Sequence, residues 1–374
     1  MKPLAGTLVL SLDQAVAAPL AGRKLADAGA RVIKLERPEG DFARQYDSLV
    51  HGECTHFAWL NRGKQSVVAD LTKSEDKRLF EAILAKADVL IQNLKPGALT
   101  RLGYPMEALR ERHPRLICCS ISGYGDEGPY RDRKAYDLLI QAESGLASVT
   151  GGPEAPARVG ASIVDISAGM NAYEAILEAL IARAHTGQGA DIRISMFDCM
   201  MEWMAVPMLY TEYGAPPRRI GLSHSSLAPY GVFQTGDNVP ILISIQNDRE
   251  WVVFCTKVLG RPELAKDPRF ASNSARLANR PQTDGLTQAC FSAHAVASLS
   301  RLLEEAEIAF ARDNDMQAIL RHPHLRRLSI ASPSGPIALP APPARWMGEP
   351  EPGFGPLPAL GAHSEEVRRE FLGS

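Results

Sequence analysis

Short apolar runs alternate with helical patterns along the first half of the chain, and this alternation constrains the fold most. The run at 7–12 is apolar and is bounded by Gly6 and Asp13. A helical pattern follows from about Pro19, and a second apolar run occupies 30–36. A strand, a helix and a second strand within about thirty residues build a parallel sheet with a right-handed crossover. Further strand candidates lie at 66–71, 87–93, 116–121 and 190–195. The pattern predicts a doubly wound α/β domain.

The loop after the first strand lacks the glycine pattern of nucleotide-binding enzymes. It reads Asp13-Gln14-Ala15-Val16-Ala17-Ala18-Pro19, without G-x-G-x-x-G, and no G-x-x-x-x-G-K-[S/T] occurs in the chain. Dinucleotide enzymes and P-loop NTPases are therefore poor candidates. In an open parallel sheet, ligands bind beyond the carboxyl ends of the strands, which here carry Gln14, Arg37, Asn93 and a glycine-rich loop at 122–129. This partly basic set suits a phosphate-bearing ligand held by arginine and backbone N–H groups.

Composition and charge exclude several other classes. The 374 residues are 45% hydrophobic and 22% charged, as expected for a soluble protein with a sizeable core. The net charge is −2 and no basic face stands out, so a nucleic-acid partner is not expected. No apolar run is long enough for a membrane span or placed as a signal peptide. The six cysteines form no CxxC pair and no metal-ligand spacing with histidine, so we expect a cytoplasmic protein with reduced thiols and no metal site.

Three regions are predicted along the chain. Residues 1–219 form the large α/β domain. Residues 220–330 form a smaller α+β domain, because a strand–turn–strand pattern is followed there by helical stretches around 249–259, 282–291 and 295–306. The segment 332–358 is rich in proline and glycine and is expected to lack regular elements. Since a helix-like stretch follows at 364–371, residues 331–374 are predicted to be an extended arm that returns to cover another domain or subunit.

A single carboxylate, Asp165, lies in the apolar, small-residue segment 158–170. A helical pattern follows and ends at Thr186-Gly187-Gln188-Gly189, where glycine favours a C-terminal stop. Asp165 is therefore expected near a helix N-terminus, among N–H groups that lack intrahelical partners. On this local pattern the commoner interpretation is an N-cap aspartate. The alternative is a nucleophilic carboxylate in a dry pocket.

Several stretches, spread from the first strand to the C-terminal helix, resemble the class III (formyl-CoA transferase type) CoA-transferases. They are Leu4–Leu10 with Ala17-Ala18-Pro19, Gly29–Pro38, Asn61–Ser66 with Asp70-Leu71, Asn93–Leu99, Gly123-Tyr124-Gly125, Asp165 with Gly169 and 186–189, and Leu360–Glu366. Each stretch is weak alone, but their order and spacing cover essentially the whole chain. The chain is identified as a member of this superfamily.

The resemblance implies an interlocked homodimer, in which each chain threads through a ring formed by the other and the proline-rich arm closes the ring. It also implies that coenzyme A and acyl-CoA are substrates and that no prosthetic group is needed. The positions that match the CoA site are Val16, Arg37, Leu71, Asn93, Arg101 and Lys134. The cationic members suit the phosphates of CoA, and the Asn93 amide suits adenine or pantetheine.

Asp165 matches the catalytic aspartate of the family. The implied chemistry is attack of this carboxylate on a thioester, through an aspartyl mixed anhydride and an aspartyl-CoA thioester. Such an anhydride requires a site that excludes water. The resemblance also implies that Asp137 orients or stabilises groups near the thioester; the alternative is an N-cap for a helix that begins at Leu138.

Two other functions stay open from the sequence. The related 2-methylacyl-CoA racemases use a histidine where this chain has Tyr136, and a tyrosine is a poor base near neutral pH. We therefore favour transfer over racemisation. A non-catalytic CoA-binding homologue is the second alternative, although Asp165 and Asp137 are both present.

The acid substrate is predicted from the length of one connection. The long glycine-rich loop of formyl-CoA transferase is absent, because the chain passes directly from Arg219 to Tyr230. This short form resembles members that act on small dicarboxylates such as mesaconate, citramalate or succinate. The distal carboxylate would need a cation, for which Arg44, Arg62 and His224 are candidates.

Overall fold

The computed structural model describes residues 2–348 and 353–373. Contacts between Cα atoms divide the chain into two compact units. The first unit contains Met1–Ala147, Arg158–Val206 and Arg326–Ser374, and the second contains Ser148–Ala157 and Pro207–Leu325. The C-terminal arm thus belongs to the first unit.

A six-stranded parallel sheet forms the centre of the first unit. Its strands are β1 (Leu8–Leu12), β2 (Arg31–Glu36), β3 (Lys64–Val68), β4 (Val89–Gln92), β5 (Ile117–Ser122) and β6 (Asp191–Ser195). Their order across the sheet is β3-β2-β1-β4-β5-β6, and every neighbouring pair is parallel. The prediction of a doubly wound α/β domain is confirmed, and each predicted strand is present with boundaries that differ by a few residues.

The helices follow the strands in the alternation that the sequence predicts. In chain order they are α1 (Ala17–Asp27), α2 (Thr55–Leu60), α3 (Ser74–Leu84), α4 (Ala98–Arg101), α5 (Met106–Arg112), α6 (Asp137–Glu143), α7 (Leu146–Val149), α8 (Ile163–Thr186), α9 (Met196–Trp203), α10 (Ala205–Tyr213), α11 (Asp248–Val253), α12 (Asn273–Ala278), α13 (Arg280–Ser292), α14 (Val296–Glu305), α15 (Met316–Ile319) and α16 (Ser364–Leu372). A 3-10 turn at Phe42–Gln45 lies between β2 and α2. Within the residues that the structure describes, no helix is both long and apolar enough to cross a membrane.

Helices cover both faces of the parallel sheet. Val9 belongs to the apolar cluster that includes residues of α1 and α8, whereas its neighbour Leu10 belongs to the cluster that includes residues of α3, α5 and α16. Successive side chains of a strand point to opposite faces, so β1 contributes to both clusters. The sheet is therefore buried on both sides, as parallel sheets require.

The second unit is built around an antiparallel sheet of three strands. These are β7 (Tyr230–Gln234), β8 (Pro240–Ser244) and β9 (Ala309–Arg312), with β8 in the centre. Trp251, Phe254 and Phe291 are buried in its apolar cluster. The predicted strand–turn–strand pattern is confirmed by β7 and β8.

One prediction for the C-terminal arm is wrong. The segment 332–358 contains a regular element, because β11 (Ile337–Pro340) pairs antiparallel with β10 (Arg327–Ile330). Ile330 and Ile337 face each other and join a buried cluster that includes Phe57. The burial of these two apolar side chains against each other thus stabilises a strand pair, although the proline and glycine content of the segment favours irregular structure.

Helices α1 and α8 lie in close contact at Gly169. A Cβ atom at Gly169 would stand 2.5 Å from the carbonyl oxygen of Ala17 and 2.9 Å from the Cβ of Leu20. Gly169 follows Asp165 by one helical turn, so the same face of α8 that carries Asp165 packs on the start of α1. This contact fixes the distance between Asp165 and the loop after β1.

Replacing Gly169 with alanine is expected to destabilise the protein. Alanine is the better helix former by about 1 kcal/mol. The close approach of Ala17 makes the added methyl group an overpacking change, which costs about 1–3 kcal/mol. A suitable control is Gly285→Ala in α13, where a Cβ atom meets nothing within 4 Å. Denaturant unfolding should show a loss of stability for Gly169→Ala and a small gain for Gly285→Ala; equal gains would contradict the close packing.

Candidate active site

The candidate site lies at the point where the strand order of the parallel sheet reverses. β1 and β4 are neighbours, but the chain continues from β1 towards β3 and from β4 towards β6. Open α/β sheets bind ligands in the crevice outside the carboxyl ends of such strands. The residues that follow β1 and β4 meet there: the backbone N–H of Gln14 donates to Asn93 Oδ1, and Asn93 Nδ2 donates to the Gln14 carbonyl, both at 2.8 Å.

Asp165 lies at the same edge of the sheet. It is the third residue of α8, the crossover helix between β5 and β6, so the predicted position near a helix N-terminus is confirmed. The N-cap interpretation is wrong, since the residue at the cap is Ser162 and Asp165 has helical neighbours on both sides. The side chain is half-buried. Because the cap is occupied by another residue, the Asp165 carboxylate is available for other interactions.

Asp137 caps the helix that carries Asp165. Its Oδ1 accepts from the backbone N–H groups of Val164 at 2.8 Å and Asp165 at 3.2 Å. Its Oδ2 accepts from Nε2 of the buried Gln141 at 2.7 Å, and Gln141 Oε1 accepts from the Val159 N–H at 2.8 Å. The alternative prediction of an N-cap for α6 is wrong, because α6 begins at Asp137 itself and Tyr136 is the cap residue. Asp137 therefore satisfies N–H groups at the start of α8.

The electrostatics of this pair affect the protonation of Asp165. Burial raises the pKa of Asp165 to about 7, and the neighbouring charge of Asp137 contributes to the increase. The positive end of the α8 dipole acts in the opposite direction but does not prevent the shift. A carboxylate with a pKa near neutrality is both more basic and more nucleophilic than an exposed one, and such shifts cluster at functional sites.

Two neighbouring cavities lie along the carboxyl edge of the sheet. Arg37 and Leu71 line a cavity of about 160 Å³ together with Gln14. Arg101 lines a second cavity of about 410 Å³ together with Lys95. Leu94, which directly follows Asn93, lines both cavities. The structure thus places Arg37, Leu71, Asn93 and Arg101 in one continuous region.

The remaining predicted CoA residues differ in their surroundings. Val16 is buried and packs in an apolar cluster with Ile166, the residue after Asp165. Lys134 is exposed, three residues before Asp137. Asp165 does not line either cavity; it lies in the first turn of α8. The roles of these residues in CoA binding stay predictions.

Gln14 is expected from the sequence at the carboxyl end of β1, whereas Tyr46 has no motif in the sequence. Gln14 lines the cavity of Arg37 and Leu71 and is bonded to Asn93. Tyr46 belongs to the segment between β2 and α2, where its ring contacts those of Phe42 and His56. Burial raises the pKa of Tyr46 to about 12, and the carboxylates of Asp41 and Asp165 add to this shift. The charge of Asp165 thus affects the pKa of Tyr46, a residue that the sequence pattern of this segment does not single out.

Three side chains are suggested as partners for the distal carboxylate of the substrate, and two of them already form ion pairs within the protein. Arg44 forms two hydrogen bonds of 2.8 Å with Glu36 and stacks on the ring of Phe57. Arg62 is buried and forms two hydrogen bonds with Asp27. His224 belongs to the second unit, where its ring stacks on Tyr230. Arg44 and Arg62 therefore have structural partners that a substrate would have to displace.

Two of the thiols, and a group of possible metal ligands found among the residues that the structure describes, have structural explanations. Burial raises the pKa values of Cys118 and Cys119 to about 12, which makes both thiols unreactive. Asp47, Cys54 and His56 hold potential ligand atoms within 4.8 Å of one another. However, the Asp47 carboxylate accepts from the N–H and the hydroxyl group of Thr55 at the start of α2. That carboxylate thus acts as a local cap, and the absence of a metal ion stays a prediction.

Known proteins resemble this chain over its whole length. A sequence model described as CoA-transferase family III matches residues 4–364. The acetyl-CoA:oxalate CoA-transferase of Acetobacter aceti is 36% identical, over 99% of this chain and 96% of that protein. The succinyl-CoA:glutarate CoA-transferase of Mus musculus is 32% identical, over 100% of this chain and 87% of that protein.

A solved structure agrees with these sequence matches. A CAIB/BAIF family protein from Brucella suis has a crystal structure that superposes with a TM-score of 0.86 at 34% identity, and the match covers 99% of each chain. The predicted fold and the predicted enzyme class, a CoA-transferase, are confirmed. The chain belongs to CoA-transferase family III.

Proposed function

We propose that this protein transfers coenzyme A between an acyl-CoA and a small dicarboxylic acid, with Asp165 as the nucleophile. The observation that carries the proposal is the half-buried carboxylate at the start of α8, whose pKa is raised to about 7 beside Asp137. The two relatives described above are named for oxalate and glutarate, which are dicarboxylates of different length. These names support a dicarboxylic acid as the substrate of this protein, and experiment must identify which dicarboxylic acid it is.

The proposed reaction proceeds through four acyl transfers at one carboxylate. A carboxylate oxygen of Asp165 attacks the thioester carbon, the C–S bond breaks, and CoA leaves as the thiolate. The thiolate then attacks the Asp165 carbonyl, which releases the donor acid and forms an aspartyl-CoA thioester. The acceptor carboxylate attacks this thioester, and the released thiolate finally attacks the acceptor acyl carbon. The products are a new acyl-CoA and the free Asp165 carboxylate, without net proton transfer.

Asp137 contributes by holding the attacking carboxylate in place. Its bonds to the N–H groups of Val164 and Asp165 fix the first turn of α8, and its negative charge keeps Asp165 more basic. A nucleophile held in one geometry loses less entropy on reaching the transition state. We propose that Arg37 and Arg101 bind phosphates of CoA, because both line cavities beside the switch point and guanidinium groups suit phosphate. Leu71 would then contact an apolar part of the same ligand.

A second copy of the chain is proposed to close the site. Tyr136, Leu138 and Leu139 beside Asp137, and Met170 beyond Asp165, are exposed apolar side chains in the single chain. Contiguous exposed apolar groups mark interaction surfaces. The mixed anhydride needs protection from water, and a covering subunit would provide it. These residues therefore favour the predicted interlocked homodimer.

The dimer is tested by measuring molar mass in solution. Light scattering after size exclusion is expected to give twice the chain mass of 40.6 kDa at micromolar concentration. Leu139→Glu, which places a charge on the exposed apolar surface, is expected to lower the yield of folded dimer and the activity with it, because interlocked chains do not separate without unfolding. A fully active monomer would contradict the proposal.

The transfer activity is tested with labelled acids. Purified protein is incubated with a panel of acyl-CoA donors and isotopically labelled dicarboxylic or monocarboxylic acids, and labelled acyl-CoA is measured. The proposal predicts exchange with dicarboxylates and much slower exchange with monocarboxylates. Deuterium uptake at Cα of a 2-methylacyl-CoA without any acid acceptor would instead identify a racemase, and CoA binding without either reaction would identify a non-catalytic homologue. The free thiols suit a reducing compartment, so we propose that the reaction takes place in the cytoplasm.

A further inference from the structure

Four buried charged residues form a cluster beside the loop 13–16, which connects β1 to α1. Lys34 Nζ in β2 donates to Asp13 Oδ1 at 2.5 Å and to Asp41 Oδ2 at 2.9 Å. Lys64 Nζ in β3 donates to Asp13 Oδ2 at 2.7 Å. All four side chains are almost completely removed from solvent. Two ammonium groups and two carboxylates thus compensate each other inside the protein.

The two lysines of this cluster are not equivalent. Burial opposes the charge of Lys34, but Asp13 and Asp41 outweigh it, so the pKa of Lys34 is raised. Burial dominates at Lys64 and lowers the pKa of that ammonium group to about 8, despite the attraction of Asp13. Lys34 is therefore the firmly charged member, and it contacts both carboxylates. Removing one partner of a buried ion pair leaves an uncompensated charge and is strongly destabilising.

The cluster is bonded directly to the backbone of the loop. Lys34 Nζ donates to the Asp13 carbonyl at 2.7 Å, and Asp41 Oδ1 accepts from the Ala15 N–H at 3.1 Å. Ala15 has a φ of 60°, a left-handed conformation that costs a non-glycine residue free energy. A strained residue keeps such a conformation only when its surroundings hold it there. Here the surroundings are Asp41, which Lys34 orients, and the Asn93 amide on Gln14.

The position of this loop determines what lies beside Asp165. Val16 packs with Ile166, and the Ala17 carbonyl lies against Gly169. Both contacts are with the first two turns of α8, one at the residue after Asp165 and one a helical turn beyond it. A shift of loop 13–16 would therefore change the distance between Asp165 and the cavity lined by Gln14 and Arg37.

We propose that Lys34 is a positioning residue for the transfer reaction: through Asp13 and Asp41 it holds loop 13–16 in the conformation that brings the acyl-CoA to Asp165. The inference rests on the proposed function. Its physical basis is that a reacting group must be held by neighbours that are themselves fixed. The cluster bonds the carbonyl and the N–H of a loop that also borders the ligand edge of the sheet, so it links the buried charges to the site.

The test compares Lys34→Met with a control on the same strand. Arg31→Met also removes an ion pair from β2, but its partner is Glu370 and both side chains are partly exposed. Lys34→Met is expected to raise KM for acyl-CoA about tenfold or more and to lower kcat about tenfold, because small displacements of reacting groups cost that much. Hydrogen exchange of the 13–16 amides should accelerate in Lys34→Met and stay unchanged in Arg31→Met. Kinetic constants and exchange rates like those of the wild type in a folded Lys34→Met protein would overturn the inference.

If Lys34→Met does not fold, a second pair of variants tests whether the cluster positions loop 13–16. Asp41→Asn and Asp41→Ala remove the same charge, but only asparagine keeps an oxygen that can accept from Ala15. Asp41→Ala is expected to have about a tenfold higher KM for acyl-CoA than Asp41→Asn and faster exchange at Ala15; equal values would overturn the inference. Wild-type protein that exchanges no CoA would overturn the proposed function instead, and the hydrogen-exchange comparison would still decide whether the cluster holds the loop.

Discussion

Replacing Asp165 with asparagine is expected to lower the rate of CoA exchange by about 10⁴-fold or more, because the proposed nucleophile is lost and its neighbours cannot replace it. Asparagine has nearly the same shape, so the packing of α8 on α1 at Gly169 should be unchanged. Binding of CoA should change little, because Arg37 and Arg101 lie in cavities that do not include Asp165. The variant is thus expected to bind substrate without turning it over.

The same substitution is expected to stabilise the folded protein at neutral and alkaline pH. The folded pKa of Asp165 is about 7, compared with 3.8 in the absence of the protein environment. Between these values the folded protein retains a proton that the unfolded chain has lost, so its free energy of unfolding decreases as the pH rises. Asparagine does not ionise, so the variant escapes this loss. The gain should be close to zero near about pH 4 and reach roughly 2–4 kcal/mol above about pH 7.

Unfolding in denaturant over a range of pH values tests this prediction. The quantity to compare is the difference in the free energy of unfolding between Asp165→Asn and the wild type. Asp198→Asn is a matched control, because Asp198 also lies in the first turn of a helix, α9, but is exposed. A stability difference that is independent of pH, or a loss of stability at alkaline pH, would contradict the raised pKa of Asp165.

Two substitutions of Asp137 are expected to separate its charge from its capping role. Asp137→Asn removes the negative charge but keeps an oxygen that can accept from Val164 and Asp165. Asp137→Ala removes both. Loss of the charge should lower the pKa of Asp165 in either variant, so activity should persist to lower pH than in the wild type. Loss of the cap should also lower the maximal rate about 100-fold in Asp137→Ala, because the first turn of α8 is no longer fixed.

The measurement is the pH dependence of kcat/KM for acyl-CoA in the three proteins. The wild type is expected to gain activity with rising pH and to reach half of its plateau near about pH 7, since only the ionised Asp165 attacks. Both variants should reach half of their plateau at lower pH, and only Asp137→Ala should have a strongly reduced plateau. Unchanged midpoints would show that Asp137 does not interact electrostatically with Asp165.

The sequence predicts the sheet and the position of Asp165 near a helix N-terminus well, because both depend on local patterns. Apolar runs bounded by turn residues define β1 and β2. The small-residue segment before a long helical pattern places Asp165 in the first turn of α8. Strand β11 is missed, because its burial depends on pairing with β10 and not on local composition.

The partners of charged side chains are much harder to predict. Asp137 caps a helix that begins 26 residues later in the chain, and Arg62 pairs with Asp27 across 35 residues. Such pairs become visible only when the fold brings their elements together. One signal was nevertheless present in the sequence: Lys34 lies within an apolar run that becomes a central strand, where a lysine side chain requires a buried partner.

The proposed transfer reaction depends on covalent chemistry at Asp165, and trapping the intermediate tests this most directly. The protein is incubated with an acyl-CoA donor, treated with hydroxylamine or borohydride, digested and analysed by mass spectrometry. We expect a hydroxamate or a reduced side chain at position 165 in the wild type, and an unmodified peptide in Asp165→Asn. Full exchange activity without any modification at position 165, or modification at another carboxylate, would contradict it.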